Sequence, residues 1–450
     1  MTLTSAKPMH VLQIVMKNTS TLDYSLPVLW GIRQKYPTAK ISILYTTLNK
    51  KQILRDSIFL EEFCCENDIQ QYDYSSFIVG VPAVFKALIL RFFERSYSDK
   101  LSLVELRRDK FRNFGKVLKS VLVRYMKPVE LRISALLVRA KRILPSLAPD
   151  IILFDNRTVT DCYGRDELYR YFEKERKPVI LLPHAPHYIH ATDEFCRFDE
   201  HNSNLMPSYT EHWMPFKFGT PWEVAMEHKT QFIKIGYPSL DSRWWNHIRQ
   251  DADDRDGITC LVMTRKCLPE GKVRPQGYDH FTLDYEEVVR FYRMLKNVVD
   301  KLSYSVNIVI KPHPSSSEPE NRKILDQVGL TGYAITYESF YELLPRVDMV
   351  VSQFTTSLAM PIAYNIPTMV VAAELQQFVH RQWPVLEKYY QGLKYFTNEA
   401  DFEDKLAEMF TTIHEPQKKM ADYEHLRQFF EDRAIDTAID RIDKIMAKKS

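Results

Sequence analysis

Three apolar segments in the C-terminal half of the chain are each followed by side chains that can bind phosphate. These are Arg265 after ITCLVMT (258–264), Lys311 and His313 after VNIVI (306–310), and Ser352, Thr355, Thr356 and Ser357 after DMVV (348–351). Cationic and hydroxyl groups of this kind stabilise phosphate charge without a metal ion. If the segments are parallel strands, their carboxyl ends meet at one edge of a sheet, where ligands bind. We therefore predict one phosphate site built from all three segments.

Each of these segments also has a plainer interpretation. Pro312 and Pro314 stiffen the loop around His313, whose imidazole would then only cap a neighbouring helix. Ser and Thr are ordinary N-cap residues, although a helix beginning near Leu358 would also offer free peptide N–H groups to an anion. Arg265 can equally be a solvated surface charge. We expect His313 both to bind the donor and to act in catalysis by stabilising the departing phosphate.

A general base is available in the N-terminal half. Asp155 ends the apolar segment IILFD (151–155), and His184 ends PVILLPH (178–184). Either a carboxylate or an imidazole can take a proton from an acceptor hydroxyl, and Asp155 can instead cap the turn after its strand. His187 and His190 follow His184 at intervals of three in a proline-containing loop, which fits no standard ligand pattern. We predict no metal site and no cofactor.

The elements that must position these residues alternate between strand and helix. Short apolar runs at 11–16, 41–47, 151–155 and 178–184 predict one parallel sheet, and runs at 258–264, 306–311, 334–338, 348–353 and 367–373 predict a second. A further strand is predicted to end at the Gly-Tyr-Pro turn of residues 236–238. We predict an α/β fold of two Rossmann-like domains that face each other across a cleft, with a C-terminal helix packing back across both. The predicted domains are 1–235, with a basic helical insertion at about 84–143, and 236–450.

Composition excludes several classes of function. The chain has 450 residues, of which 45% are hydrophobic and only 12 are glycine. Neither GxGxxG nor GxxxxGK[ST] occurs, so NAD-linked chemistry and P-loop NTP hydrolysis are disfavoured. The six cysteines show no zinc-binding or disulfide pattern, and no run of about 18 apolar residues or secretory signal is present. We expect a cytoplasmic protein.

A basic segment lies in the N-terminal half. Between residues 101 and 142 twelve Lys or Arg oppose three Asp or Glu, with the cations spread from Arg107 to Arg142. Such a segment can hold a protein peripherally on anionic lipid at the inner face of the membrane, or it can simply cover a core. No aromatic platform accompanies the charge, and we expect no nucleic-acid partner.

The order of these motifs resembles the GT-B superfamily. GYPSLD (236–241) is similar to the G-x-P-x-x-D crossover of UDP-N-acetylglucosamine 2-epimerases. KPHP (311–314) and the Ser/Thr segment are closer to transferases that use CMP- or CDP-activated donors: bacterial sialyltransferases, capsule Kdo transferases and CDP-glycerol glycerophosphotransferases. In those families an HP histidine and a Ser/Thr pair contact the donor phosphates, which implies His313 with Thr355, Thr356 or Ser357 here.

Two positions depart from the family pattern E-A-x-x-x-G-x-P after the Ser/Thr segment. Met360 stands where the acid falls and Asn365 where the glycine falls. The resemblance implies a metal-independent glycosyltransferase that takes a sugar or polyol phosphate from a CMP or CDP donor to a hydroxyl of a surface glycan or glycolipid. The alternatives are a UDP-sugar epimerase or hydrolase of the same fold, and a non-catalytic component of a polysaccharide pathway.

Overall fold

The computed structural model divides the chain into two compact units. Unit 1 comprises residues 1–239 and 433–450, and unit 2 comprises residues 240–432. The structure describes residues 8–15, 22–48, 50, 54, 57–78, 82–83, 86–87, 146–155, 174–182, 211–214, 231–249, 257–265, 267–268, 270–272, 283–313, 316, 318–353, 356–371, 399–414 and 433–448.

Unit 1 is built on a seven-stranded parallel sheet with the strand order β3-β2-β1-β4-β5-β6-β7. The strands are β1 (His10–Val15), β2 (Lys40–Tyr45), β3 (Ile69–Asp73), β4 (Ile151–Asp155), β5 (Val179–Leu182), β6 (Glu211–Met214) and β7 (Gln231–Lys234). Every residue of β1 is buried. Burial on both faces explains why β1 reads as an almost unbroken apolar run.

Three described helices of unit 1 are α1 (Leu22–Lys35), α2 (Ile58–Glu66) and α9 (Ala434–Ala447). α9 packs on α1, where Gly31 lets the two backbones approach: a Cβ added at Gly31 would lie 2.5 Å from Cγ2 of Ile435. At the other side of α9, Arg441 forms a bidentate ion pair with Glu211 of β6, with N–O distances of 2.8 and 2.6 Å. The chain thus returns to unit 1 after completing unit 2.

Unit 2 is built on a five-stranded parallel sheet with the order β10-β9-β8-β11-β12. Its strands are β8 (Ile258–Met263), β9 (Val306–Lys311), β10 (Tyr333–Ile335), β11 (Met349–Gln353) and β12 (Thr368–Val371). Its described helices are α3 (Ser242–Arg249), α4 (Tyr285–Val299), α5 (Glu318–Val328), α6 (Phe340–Leu343), α7 (Ala359–Ala363) and α8 (Glu399–His414).

The main core of unit 2 lies on one face of this sheet. Cys260, Val262, Ile308 and Val351 of the strands meet Phe291 and Leu295 of α4 and Phe402 and Phe410 of α8, and all are buried. α4 presents these residues at helical spacing and begins with a capping box at Asp284. The polar residues at the ends of the strands are thereby held on a rigid base.

The predicted α/β fold of two Rossmann-like domains is confirmed, and so are the nine predicted strands, to within a few residues at each end. β7 is the strand predicted before the Gly-Tyr-Pro turn, and β3 and β6 were not predicted. The C-terminal region contains two separate described helices: α8 packs on α4 in unit 2, and α9 packs on α1 in unit 1. The prediction had assigned 433–450 to the second domain. The basic segment from Arg107 to Arg142 lies outside the described residues.

Candidate functional site

The two sheets each have a topological switch point, where the strand order reverses and ligands bind outside the carboxyl ends. In unit 2 this point lies between β8 and β11, which are neighbours in the sheet although β9 and β10 lie between them in sequence. In unit 1 it lies between β1 and β4. These two places are the candidate sites of the molecule.

A buried polar cluster occupies the unit 2 switch point. The backbone N–H of Arg265, two residues past β8, donates to Oε1 of Gln353 at the end of β11 over 2.7 Å. Arg265 is 8% exposed and Gln353 is 3% exposed. A guanidinium and an amide are expensive to bury, so the burial of both side chains distinguishes this edge of the sheet.

Ser352 and Lys311 lie in one row across the carboxyl edge. The register pairs Met263 with both Lys311 and Ser352, which places all three on the same face of the sheet. Ser352 is fully buried, and its hydroxyl donates to the carbonyl oxygen of Gln353 over 2.6 Å. Its hydroxyl oxygen can still accept a hydrogen bond. To donate to a phosphate oxygen, the hydroxyl would have to give up the hydrogen bond that it now donates to the carbonyl of Gln353.

The Lys311 ammonium is directed to the loop before α6. It donates to the carbonyl oxygen of Glu338 and lies 4.9 Å from the ring centroid of Phe340, a cation–π contact. α6 itself begins with a capping box in which Ser339 and Glu342 bond each other's backbone N–H. Lys311 therefore holds the β10–α6 loop against the end of β9.

His313 is exposed at the carboxyl edge. Its carbonyl oxygen accepts the N–H of Ser316 over 2.8 Å, which curls the loop after β9 into a turn. On the side of β10, Thr336 donates its N–H to Ile310. The imidazole thus stands at the solvent edge of the row that contains Lys311.

The Ser/Thr segment after β11 forms a short turn instead of the start of a long helix. Thr356–Leu358 is a 3₁₀ turn that leads into the five-residue α7. Ser357 is half-buried, and Thr355 lies outside the described residues, as does the side chain of Thr356. Because so short a helix has only a small macrodipole, this segment can offer hydroxyls and peptide N–H groups but not the field of a long helix.

The two departures from the family pattern have structural explanations. Met360 is 3% exposed and belongs to the apolar interior. Asn365 has φ +58, and the N–H groups of Asn365 and Ile366 donate to the carbonyl oxygens of Ile362 and Pro361. This pair of bonds is a Schellman motif, whose left-handed residue is usually glycine and sometimes asparagine. Asn365 therefore adopts the conformation for which the pattern uses glycine.

The GYPSLD segment is anchored at both of its ends. Gly236 has φ +88, and its carbonyl oxygen accepts the hydroxyl of Tyr24 in unit 1 over 2.9 Å. Asp241 is fully buried in unit 2, and its carboxylate accepts the N–H of Arg243 at the start of α3. The ring of Trp245 on α3 stacks on Tyr364, with centroids 3.9 Å apart. The carboxylate of Asp241 therefore caps a helix.

In unit 1, Asp155 is the last residue of β4 and pairs in register with Leu182. The topology thus brings its backbone to the β1–β4 switch point. His184 lies outside the described residues. The sequence did not single out two buried glutamines, Gln353 in β11 and Gln13 in β1. The signal for either was an amide in a strand of mostly apolar residues.

Neither a metal site nor a membrane span is found in the described residues. Within these ranges no group of three or more His, Cys, Asp or Glu side chains could hold a metal ion. None of the described helices is long and apolar enough to cross a membrane.

Near the unit 2 site, burial raises the pKa of the Cys267 thiol to about 12, and nearby carboxylates act in the same direction.

Comparison with known proteins identifies the fold. No family model and no curated protein sequence matches the chain. A solved structure of a putative UDP-N-acetylglucosamine 2-epimerase from Listeria monocytogenes is 11% identical with a TM-score of 0.55, covering 98% of both chains. A second UDP-N-acetylglucosamine 2-epimerase is also 11% identical with a TM-score of 0.54, covering 97% of this chain and 95% of the other.

The wall teichoic acid polymerase TagF, in a structure soaked with CDPG, is 12% identical with a TM-score of 0.52, covering 98% of this chain and 90% of its own. Identities this low establish architecture and leave activity open. The resemblance stated from sequence is confirmed at the level of fold: the chain has the GT-B fold of two Rossmann-like domains.

Proposed function

We propose that this protein is a glycosyltransferase that moves a sugar of the sialic acid or Kdo type, or a polyol phosphate, from a CMP- or CDP-activated donor. The acceptor is a hydroxyl of a surface glycan or glycolipid. The observation that carries the proposal is the buried Arg265–Gln353 cluster at the unit 2 switch point, bonded over 2.7 Å. It is a cationic, preorganised site at the place where this fold binds ligands.

The donor phosphates would lie along the carboxyl edge of the unit 2 sheet. Arg265 supplies a fixed positive charge, and the hydroxyls of Thr355, Thr356 and Ser357 supply short hydrogen-bonding groups. Ser352 would join them by turning its proton from the carbonyl oxygen of Gln353 to a phosphate oxygen. Lys311, bonded to the carbonyl of Glu338, contributes its charge while it holds the neighbouring loop. Since these groups provide the positive charge that the phosphates require, the chemistry needs no metal ion.

His313 would stabilise the departing phosphate. It is exposed on a turn closed by the Ser316 N–H, so its imidazole can reach a ligand at the edge of the sheet. On the acceptor side, Asp155 at the end of β4 or His184 would take the proton of the attacking hydroxyl. Exclusion of water from the bound substrates would favour transfer over hydrolysis of the donor.

The cellular setting is part of the same proposal. A donor made in the cytoplasm and an acceptor carried on a lipid would meet at the inner face of the membrane. The cations from Arg107 to Arg142 would hold the enzyme there on anionic lipid.

The test is a thermal-shift panel of CMP, CDP, UMP, UDP and GDP. Stabilisation follows RT ln(1 + [L]/Kd), so millimolar nucleotide at a micromolar site adds about 4 kcal/mol. A cytidine-selective shift that is lost in His313→Ala supports the proposal. A matched control is His414→Ala: His414 stacks on Tyr304, just before the amino end of β9, and so belongs to the opposite edge of the same sheet.

Other outcomes select the alternatives. Uridine-selective binding, with turnover of a nucleotide sugar in the absence of any acceptor, would replace transfer by epimerisation or hydrolysis. No shift with any nucleotide would favour a non-catalytic role in a polysaccharide pathway. Transfer itself is measured as release of CMP or CDP that depends on added acceptor.

A further inference from the structure

The strand β11 ends in a buried glutamine that apolar packing does not explain. Gln353 is 3% exposed and pairs in register with Val371 of β12. Val351, two residues earlier on the same face of the sheet, belongs to the apolar core. An aliphatic side chain at position 353 would continue that core without the cost of burying an amide. The glutamine is therefore expected to make specific polar contacts.

One half of the Gln353 amide makes such a contact within the protein. Oε1 accepts the backbone N–H of Arg265 over 2.7 Å, and both residues are buried. This bond fixes the orientation of the amide, because a flipped group would turn its own N–H donors towards the N–H of Arg265. The bond also ties the loop after β8 to the end of β11.

The other half of the amide carries two N–H donors on Nε2. Within the described residues the bond from Arg265 is the one hydrogen bond of the Gln353 side chain, so both Nε2 protons are available to a ligand. An amide nitrogen donates and does not accept. The ligand atom that it binds must therefore be an acceptor.

The surroundings of Nε2 favour an acceptor with negative charge. Gln353 ends β11 at the unit 2 switch point, between Ser352 and the turn Thr356–Leu358. Arg265, its bonded neighbour, brings a cationic side chain to the same buried cluster. Hydrogen bonds from an amide are stronger to an ionised oxygen than to a neutral one, so a phosphate oxygen suits this position better than a carbonyl of the base or a hydroxyl of the ribose.

We propose that Gln353 is a donor-binding residue, whose Nε2 donates a hydrogen bond to a phosphate oxygen of the nucleotide while Oε1 stays bonded to the N–H of Arg265. The inference rests on the proposed function, in which this edge of the sheet binds the donor phosphates, and it adds a neutral hydrogen-bond donor to the cationic and hydroxyl groups already described. Because the Arg265 bond fixes the amide before the ligand arrives, binding requires no reorientation of Gln353.

Two substitutions separate a contact with the ligand from support of the loop. Gln353→Met removes both the donor and the acceptor, whereas Gln353→Glu keeps an acceptor for the Arg265 N–H and replaces Nε2 by an oxygen that repels phosphate. In isothermal titration with CDP, we expect Gln353→Met to bind about tenfold to a hundredfold more weakly than the wild type, the value of one hydrogen bond to a charged group. Gln353→Glu should bind more weakly still, because like charges then oppose each other.

A role confined to holding the loop predicts the reverse order. Gln353→Glu would then bind as the wild type does, and Gln353→Met would be the weaker of the two variants. That order, or equal affinity in all three proteins, would overturn the inference. The matched control is Asn307→Asp, which makes the same change from amide to carboxylate at an exposed position near the amino end of β9 and should bind CDP as the wild type does.

A crystal structure of the full wild-type chain with CDP tests the contact itself, and it decides the matter alone if circular dichroism shows that Gln353→Glu does not fold. The expected result is a phosphate oxygen within hydrogen-bonding distance of Nε2. A bond from Nε2 to the base or the ribose, or no bond to the nucleotide, would refute the role of Gln353.

Failure of the two proposals is distinguishable. If the wild type binds CDP and both Gln353 variants bind it equally well, the role of Gln353 is refuted while the transferase proposal stands. If the wild type selects UDP and the variants weaken UDP binding in the predicted order, the CMP or CDP donor is refuted while the role of Gln353 stands. A wild type that binds no nucleotide refutes both.

Discussion

Substitutions at Asn365 test the turn that ends α7 and leads into β12. Asn365 is exposed with φ +58, and the two Schellman bonds close the helix end with N–O distances of 3.0 Å to Ile362 and 2.8 Å to Pro361. The left-handed region costs a residue with a Cβ atom about 1–2 kcal/mol, and asparagine less than most. Asn365→Ala should therefore lower the free energy of unfolding by about 1 kcal/mol.

The series Gly, Asn, Ala, Val separates backbone conformation from side-chain contacts. Glycine adopts positive φ without strain, so Asn365→Gly should be close to wild type although it lacks the side chain altogether. Valine should be worse than alanine because its branched Cβ crowds the backbone further. The predicted order of stability is Gly and Asn, then Ala, then Val.

Urea denaturation followed by tryptophan fluorescence measures the effect; Trp245, stacked on Tyr364 beside the turn, is one of the six tryptophans that contribute. With m values of about 1–3 kcal/mol/M, a loss of about 1 kcal/mol lowers the midpoint by about 0.3–1 M at unchanged m. If Asn365→Gly proves as unstable as Asn365→Ala, a side-chain contact and not the left-handed backbone decides the stability, and the reasoning is refuted.

Three further predictions concern unit 1. Gly31→Ala should lower stability by about 1 kcal/mol in urea denaturation, because overpacking against α9 outweighs the gain in helix propensity; a stabilised variant would contradict the close approach. Arg441→Met should cost about 3 kcal/mol in the same assay, because it leaves the carboxylate of Glu211, only 10% exposed, without its cation; a loss below about 1 kcal/mol would show that the pair is solvated. Iodoacetamide at pH 8 should alkylate the exposed Cys65 and spare Cys64, whose pKa burial raises to about 12, so that its reactive thiolate is scarce; equal labelling in tandem mass spectra would contradict the burial of Cys64.

The regular part of the fold could be predicted from sequence because buried parallel strands read as apolar runs. β3 and β6 escaped because neither is an apolar run: most of β3 is not buried, and the polar start of β6 is paired at long range. The sequence of β6, EHWM, carries a carboxylate whose partner, Arg441, lies 230 residues away. The sequence of β3, IQQYD, has only its first residue buried. Neither strand therefore has a local sequence pattern that predicts it.

The candidate site was predictable to the same extent. Lys311, His313, Ser352 and Arg265 follow strands that are visible in the sequence, so the strand ends identified them. The bond from the Arg265 N–H to Gln353 joins residues 88 positions apart, and no local pattern indicates it. The left-handed conformation of the exposed Asn365 could not be predicted from the sequence either, since only the folded backbone shows that this residue adopts a glycine-like conformation.

Isothermal titration of CDP into the wild type, His313→Ala and His414→Ala tests the central claim most directly: that the carboxyl edge of the unit 2 sheet binds donor phosphates. We predict that His313→Ala weakens binding about tenfold to a hundredfold, the value of one charge-assisted hydrogen bond, while His414→Ala binds as the wild type does. Equal affinity in all three proteins would place the nucleotide elsewhere and contradict the account.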